Sequence, residues 1–211
     1  MQSTEYTQVT SWFERLMMLA CLLSFWGMAS STAWQKSPTA DEPIHLTRGI
    51  VISQGQDYRL QQEHAPLSHW LMSLLIRDEP LPDVTMLEGW DTAERLLVAR
   101  AVFEDPATNI DRLVWLGRLP IVFSGLLLGA MMMRWAAAVG GREARLAAGV
   151  LFAFSPNLIA NASLATTDFV TTVTYVACLF TLWRYWQRPT WGRWLLAGLC
   201  LGLGLSSKMT G

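Results

Sequence analysis

Charged residues at the ends of apolar runs are the first candidates for chemistry in this chain. Asp41 and Glu42 follow directly on the first long apolar run, Asp168 sits between two later runs, and Lys208 closes the last one. An acidic pair, a further carboxylate and a cation gathered at one membrane surface, above a floor of apolar helices, suit a substrate with an anionic head and a lipid tail. Each residue also has a plain structural reading. Asp41 lies in a stretch rich in acids, and Asp168 in Thr166-Thr167-Asp168 can serve as the N-cap of a helix beginning at Phe169. Lys208 can snorkel, yet a lysine on the outer side runs against the positive-inside bias, which favours phosphate binding. His45, His64 and His69 fall in one polar stretch, but their spacing matches no zinc motif, so no metal site is assigned. Asn161-Ala-Ser163 fits a glycosylation acceptor pattern of a kind that chance supplies often.

The elements that must position these residues are apolar helices. Hydrophobic residues make up 52% of the 211 and charged residues only 16%, a balance foreign to a soluble domain of this length. Mean hydropathy is +0.26. Charge is also unevenly spread: most acids lie between Lys36 and Arg112, whereas short basic segments separate the later apolar runs. Several of the eleven tryptophans, among them Trp34, Trp115, Trp135, Trp183, Trp186 and Trp194, flank apolar runs as headgroup-level rings do. Nucleic-acid binding has no footprint in this composition. Cys21, Cys178 and Cys200 all lie inside apolar runs and read as small core residues, not as disulfide partners.

The runs predict an all-α integral membrane fold with about five spans, near 13–34, 114–138, 145–164, 168–187 and 193–210, and an outer loop over 35–112. The small residues Ala29-Ser-Ser-Thr-Ala33 resemble a signal-peptide cleavage region, but the spans that follow favour an uncleaved anchor. Arg118 and Arg134 bracket an uncharged stretch and are expected to snorkel outward, with Pro120 in the first helical turn. Ser155-Pro156 predicts a bend toward the far end of the third span. Gly198, Gly202 and Gly204 would let another helix approach the fifth. Arg134, Arg142 and Arg145 mark one connection as cytoplasmic, and Arg184, Arg188 and Arg193 another. The N-terminus is then cytoplasmic, with the 35–112 loop, the Asp168 corner and Lys208 outside. Within the loop, Leu67, Trp70, Leu71, Leu74 and Leu75 follow helical spacing, and Asp91 with Glu94 forms a capping-box pattern for a helix reaching about Phe103. Both helices are expected to lie along the membrane surface.

A family resemblance enters with the loop motifs. Asp41-Glu-Pro-Ile-His45, Gly49, Gly55-Gln-Asp-Tyr58 and Glu63-His-Ala-Pro-Leu67 resemble the first outer loop of the protein O-mannosyltransferase-like GT-C glycosyltransferases, family 39. Gly117-Arg-Leu-Pro120, Ser155-Pro-Asn157, Ser163-Leu-Ala-Thr-Thr-Asp168 and Gly202-Leu-Gly-Leu-Ser-Ser-Lys208 follow in the order that family shows, and the lipid-A aminoarabinose transferases are more distantly similar. Where the family usually has two prolines after the histidine, this chain has Ala65-Pro66. The resemblance implies a GT-C type multi-helix transmembrane domain with amphipathic juxtamembrane helices in the first outer loop, and a chain that is an N-terminal fragment of a longer one. It also implies transfer of a sugar from a polyprenyl-phosphate carrier to a hydroxyl on a protein, lipid or glycan acceptor, with inversion, at the outer face of a bacterial inner (plasma) membrane. Asp41 would be the general base, Glu42 would shape the site, His64 with the Pro66-Leu67 turn would brace the loop against the membrane, and His64 would count among the substrate-binding residues. Asp168 would position donor or acceptor, and Lys208 would meet the carrier phosphate. No cofactor is specified, and a divalent cation is the one left open. A multi-span transporter subunit or a non-catalytic scaffold are the competing readings. Transporters place ionisable groups near the bilayer midplane, whereas the charges here cluster at span ends.

Overall fold

The amphipathic and apolar patterns resolve into helices in two layers. The computed structural model describes residues 12–55, 57–61 and 64–208, and no strand occurs among them. Gln56 and Glu63 of the loop motifs, and the last two positions of the expected 193–210 span, lie outside those residues. One layer holds the long apolar helices: α1 (Trp12–Gln35), α5 (Ile110–Ala153), α7 (Thr167–Gln187) and α8 (Trp191–Leu205), with the short α6 (Pro156–Ala162) before α7. The other is built from the 35–112 stretch: α2 (Glu42–Gly55), α3 (Leu67–Ser73), a 3₁₀ turn at Val84–Met86 and α4 (Arg95–Glu104).

Helices α1 and α5 are each long and apolar enough to cross a membrane, and α6 with α7 qualifies as one bent unit with 117° between its parts. The 15 residues of α8 rise about 22 Å, short of a hydrocarbon core of about 30 Å. Helix α5 is not one rod. At Gly141 φ is +69°, a left-handed conformation that glycine adopts without a Cβ clash. The chain doubles back there. A Cβ on Gly129 would come within 2.5 Å of the Phe152 ring, and one on Gly149 within 2.9 Å of the Met133 sulfur. A straight helix would hold those pairs about 24 Å or more apart. The arms 110–139 and 142–153 therefore run antiparallel, with α1 packed against both through Cys21, Phe25, Ala29 and Ala33. Phe25 meets Phe152 at 4.5 Å between ring centroids. At the turn, Glu14 of α1 receives Arg145 at 2.8 Å and Arg142 at 3.1 Å.

Two local expectations fail here for clear reasons. Pro120 is not in a first turn, because α5 already begins at Ile110, where the Asn109 side chain accepts the Arg112 N–H. The extra turns bury Leu113 and Val114 under the outer layer, so packing extends the helix beyond its apolar run. Arg118 does not snorkel. It is 0% exposed, and its guanidinium donates to both oxygens of Glu42 at 2.7 and 2.6 Å and to the carbonyls of Ala33, Lys36 and Ser37 at 2.6, 2.7 and 3.1 Å. The expected bend is present: Pro156 opens α6, and the Ser155 hydroxyl accepts the Leu158 N–H. Of the α8 glycines, Gly204 meets the Tyr175 ring of α7, while Gly198 and Gly202 face open space.

The outer layer has its own core of Ile50, Val51, Leu60, Ile76, Val84, Trp90, Val98, Val102 and Leu113. Helix α3 buries Ser68, His69 and Ser73 together with Met72, and Leu71 packs against the core, whereas Trp70 and, just past the helix end, Leu74 and Leu75 are 50%, 47% and 43% exposed. Helix α4 begins close to its expected place, but the Asp91–Glu94 capping box does not form. Glu94 is the N-cap and makes no side-chain cap bond, because the chain turns tightly through Gly89 (φ +85°) and Ala93 (φ +56°) and leaves Asp91 outside the helix.

Removing Arg118 would strand a buried carboxylate. Arg118→Met is expected to destabilise the protein by about 3–5 kcal/mol, read as a lowered Tm in lipid nanodiscs. Adding Glu42→Met should restore much of that loss, and a double variant no better than the single one would contradict the pairing.

Candidate active site at one end of the helices

The site begins with Glu42. Thr39-Ala-Asp-Glu42 has the spacing of a capping box, but α2 starts at Glu42 and both bonds run one way: the Thr39 N–H donates to Glu42 Oε2 at 2.8 Å and its hydroxyl at 3.1 Å. The other oxygen, Oε1, accepts the Ala165 N–H at 2.7 Å as well as Arg118 Nε. One carboxylate thus ties the exit of α1, the start of α2, the first arm of α5 and the 163–166 corner. Burial pushes the Glu42 carboxyl up, but Arg118 and the N–H groups of Ala165 and Thr39 outweigh it and hold the carboxyl below its ordinary range. Fully buried and fully bonded, Glu42 does not line the cavity above it.

That cavity, of about 250 Å³, is where four of the residues singled out in the sequence meet: Asp41, His64, Asp168 and Lys208. Ile44, His45, Arg48, Arg95, Thr166 and Thr167 complete its lining. Asp41 is exposed, one residue before the locked Glu42. Asp168 is not the cap of α7; the helix starts at Thr167 with Thr166 as N-cap, and the Asp168 side chain instead takes Lys208 Nζ at 2.5 Å. Lys208 is held in place through its neighbours. The Leu67 N–H donates to Ser206 O and the Ser68 hydroxyl to Ser207 O, each at 2.9 Å, and Ser207 Oγ donates to Thr171 Oγ1 at 3.2 Å. The last turn of α8 is therefore fastened to α3 and α7 together.

Arg48, and His45 in any role but metal ligation, are functional candidates that residue spacing in the sequence carries but that reading the motifs alone passes over. Asp41, His45 and Arg48 stand at i, i+4 and i+7, one face of a helix, and Thr39-x-x-Glu42 followed by Pro43 is the signal that the helix exists. Arg95 carries no such signal, because the fold of the outer layer alone brings it to the cavity. Gly49 sets the floor: a Cβ there would lie 2.9 Å from the His69 carbonyl, so its absence lets α3 close onto α2. The three histidines converge as a result. His45 Nδ1 is 3.0 Å from His69 Nε2 with the rings stacked, and His64 lies 5.5 Å from His45 between centroids. Even so, among the described residues no group of three or more His, Cys, Asp or Glu is set to hold a metal ion.

An all-helical fold with apolar helices able to cross a membrane and a polar cavity at one end of them is consistent with a GT-C type membrane domain. The comparisons narrow it: residues 108–211, from just before α5 to the chain end, match the family model described as "Dolichyl-phosphate-mannose-protein mannosyltransferase". The match supports a membrane glycosyltransferase, similar to that family. Asp168 and Lys208 lie inside the matched segment, and Asp41, His45, His64 and Arg95 outside it. No curated protein and no solved structure matches the chain.

Burial, reinforced by Arg48 and His64 and opposed by Asp41 and Asp168, lowers His45 from its ordinary 6.5 to about 4. His69 is lowered as well, by burial and then by His45 and Arg48. Both stay neutral in the folded protein while the unfolded chain takes up protons. Their contribution is whole above pH 6.5 and, for His45, drains away as pH falls toward about 4. Tm should therefore drop through that window, and the drop should shrink in a His45→Gln, His69→Gln double variant; an unchanged pH slope would contradict buried neutral histidines.

Proposed function

We propose that this glycosyltransferase moves a sugar from a polyprenyl-phosphate carrier to a hydroxyl of a protein, lipid or glycan acceptor on the outer membrane face. Asp41 takes the acceptor proton, the freed oxygen attacks the anomeric carbon, and the bond to the carrier phosphate breaks with its electron pair remaining on the phosphate oxygen. Lys208 stabilises the charge that grows there, which lowers the transition state more than the ground state. Asp168 keeps the lysine aligned until the phosphate arrives, and His64 borders the substrate. The single observation that carries the reading is the contrast between the adjacent carboxylates: Glu42 is saturated with donors, whereas Asp41 is exposed in a cavity that also holds Lys208.

The membrane arrangement is part of the same reading. Arg142 and Arg145 sit at the α5 turn beside Glu14, and Arg184 and Arg193 at the α7–α8 connection, opposite the cavity along the helices. Positive-inside bias then puts the N-terminus in the cytoplasm and the cavity outside. The spans in this reading are about 13–34, 114–138, 145–164, 168–187 and 193–210, the α5 turn separating the second from the third and the 15 residues of α8 covering only part of the last.

The test incubates membranes carrying the protein with labelled polyprenyl-phosphate sugar and follows label into acceptor. Asp41→Asn should lower kcat by about a hundredfold or more, and Lys208→Met should also lower it. Wild-type rates from Asp41→Asn, or equal transfer from nucleotide sugars without lipid carrier, would overturn the proposal.

A further inference from the structure

His45 and His69 are joined by one hydrogen bond, His45 Nδ1 to His69 Nε2 at 3.0 Å, and a single proton lies between those nitrogens. Which ring supplies it decides what His45 shows to the cavity. If His45 donated, neutral His69 would carry its own proton on Nδ1. That nitrogen is fully buried and has no hydrogen-bond partner, so an N–H would be stranded there. If His69 donates through Nε2–H, its Nδ1 is left as a bare acceptor, which buried sites tolerate more often than an orphaned N–H. The charges acting on His69 point the same way, since Arg48 is among them and no carboxylate is. Burial keeps either ring from resolving the matter by becoming a cation.

We propose that His69 fixes His45 in its Nε2–H tautomer, making His45 a hydrogen-bond donor to a phosphate oxygen of the ligand in the cavity. This rests on the lipid-phosphate reading above and adds to it a neutral donor beside the cations. The Nδ1 edge is committed to His69 and His45 is one of the residues lining the cavity, so Nε2 is the ring nitrogen left to meet a ligand. Rotation is prevented because the two rings stack at 5.2 Å with 25° between planes, an approach that the missing side chain of Gly49 permits. A phosphate suits the donor because Arg48, Arg95 and Lys208 share the lining. His45 would thus bind the group whose negative charge rises during transfer, and His69 would be a positioning residue acting through it.

Two measurements on the protein in lipid nanodiscs test this separately from the reaction. Nitrogen-15 histidine NMR at about pH 7 should show His45 neutral with the proton on Nε2; a proton on Nδ1, or a cationic ring, overturns the inference whatever the activity. Binding of sugar-free polyprenyl phosphate supplies the second. His45→Phe should weaken it by about tenfold to a hundredfold. His45→Gln, whose amide N–H reaches about where Nε2–H does, should recover much of the loss, and His69→Phe should lower affinity less than His45→Phe. Unchanged carrier binding by His45→Phe, with weakened binding only of the sugar-bearing donor, would move the contact to the sugar and refute the phosphate assignment. A wild-type protein that binds no polyprenyl phosphate at all would instead sink the lipid-carrier reading, and with it the ligand half of this inference, leaving the NMR result to decide the tautomer.

Discussion

The arrangement depends on one buried ion pair. Arg118 and Glu42 are both fully withdrawn from solvent, and taking two charges out of water costs several kcal/mol each unless hydrogen bonds compensate. Here they do. The guanidinium fork spends its donors on the carboxylate and three carbonyls, and the carboxylate takes backbone N–H groups from Thr39 and Ala165 besides. The segments so joined are far apart in the chain, so the pair acts as a knot between the membrane layer and the outer layer. A lysine could not replace Arg118, because a point charge lacks the planar fork that reaches these acceptors at once.

Adjacent carboxylates acquire opposite roles from that knot. Glu42 is held in place, and its saturation keeps it ionised and silent. Asp41, one residue earlier, inherits a fixed backbone and an exposed side chain, the combination that a proton acceptor requires. The same logic separates the cations: Arg118 is wholly consumed by structure, whereas Lys208 pairs with a partly exposed aspartate. An exposed pair of that kind is worth little by itself and exchanges readily for another anion.

Much of this was legible in the residues, and the rest was not, for physical reasons. Long uncharged runs announce apolar helices, and Ser155-Pro156 announces a break, because both effects are local. The meeting of Asp41, Asp168 and Lys208 follows from assigning each to the same side of the bilayer, whereas His64 enters only through the family resemblance. Arg118 escaped, since a charged residue at the edge of an apolar run looks the same in sequence whether it snorkels or is buried against a partner 76 positions away. The α3 helix is announced by its apolar stripe, but only the fold shows that Trp70, Leu74 and Leu75 of that stripe are exposed while Ser68, His69 and Ser73 are buried. The histidine cluster was invisible for a similar reason: it depends on Gly49 admitting α3, and no spacing rule encodes a close approach between two helices joined by a loop.

The fastening of α8 to α3 has a consequence for biogenesis. The first backbone N–H of α3 and the Ser68 hydroxyl are satisfied by carbonyls of Ser206 and Ser207, in each case 139 residues downstream. At ribosomal speeds of about 5–20 residues per second, those acceptors are synthesised roughly 7–28 s after α3 itself. During that interval the polar groups of α3 are served by water, and only the arrival of α8 completes the pocket. A ribosome stalled before Ser206 would leave a bundle whose cavity has one wall unbuilt.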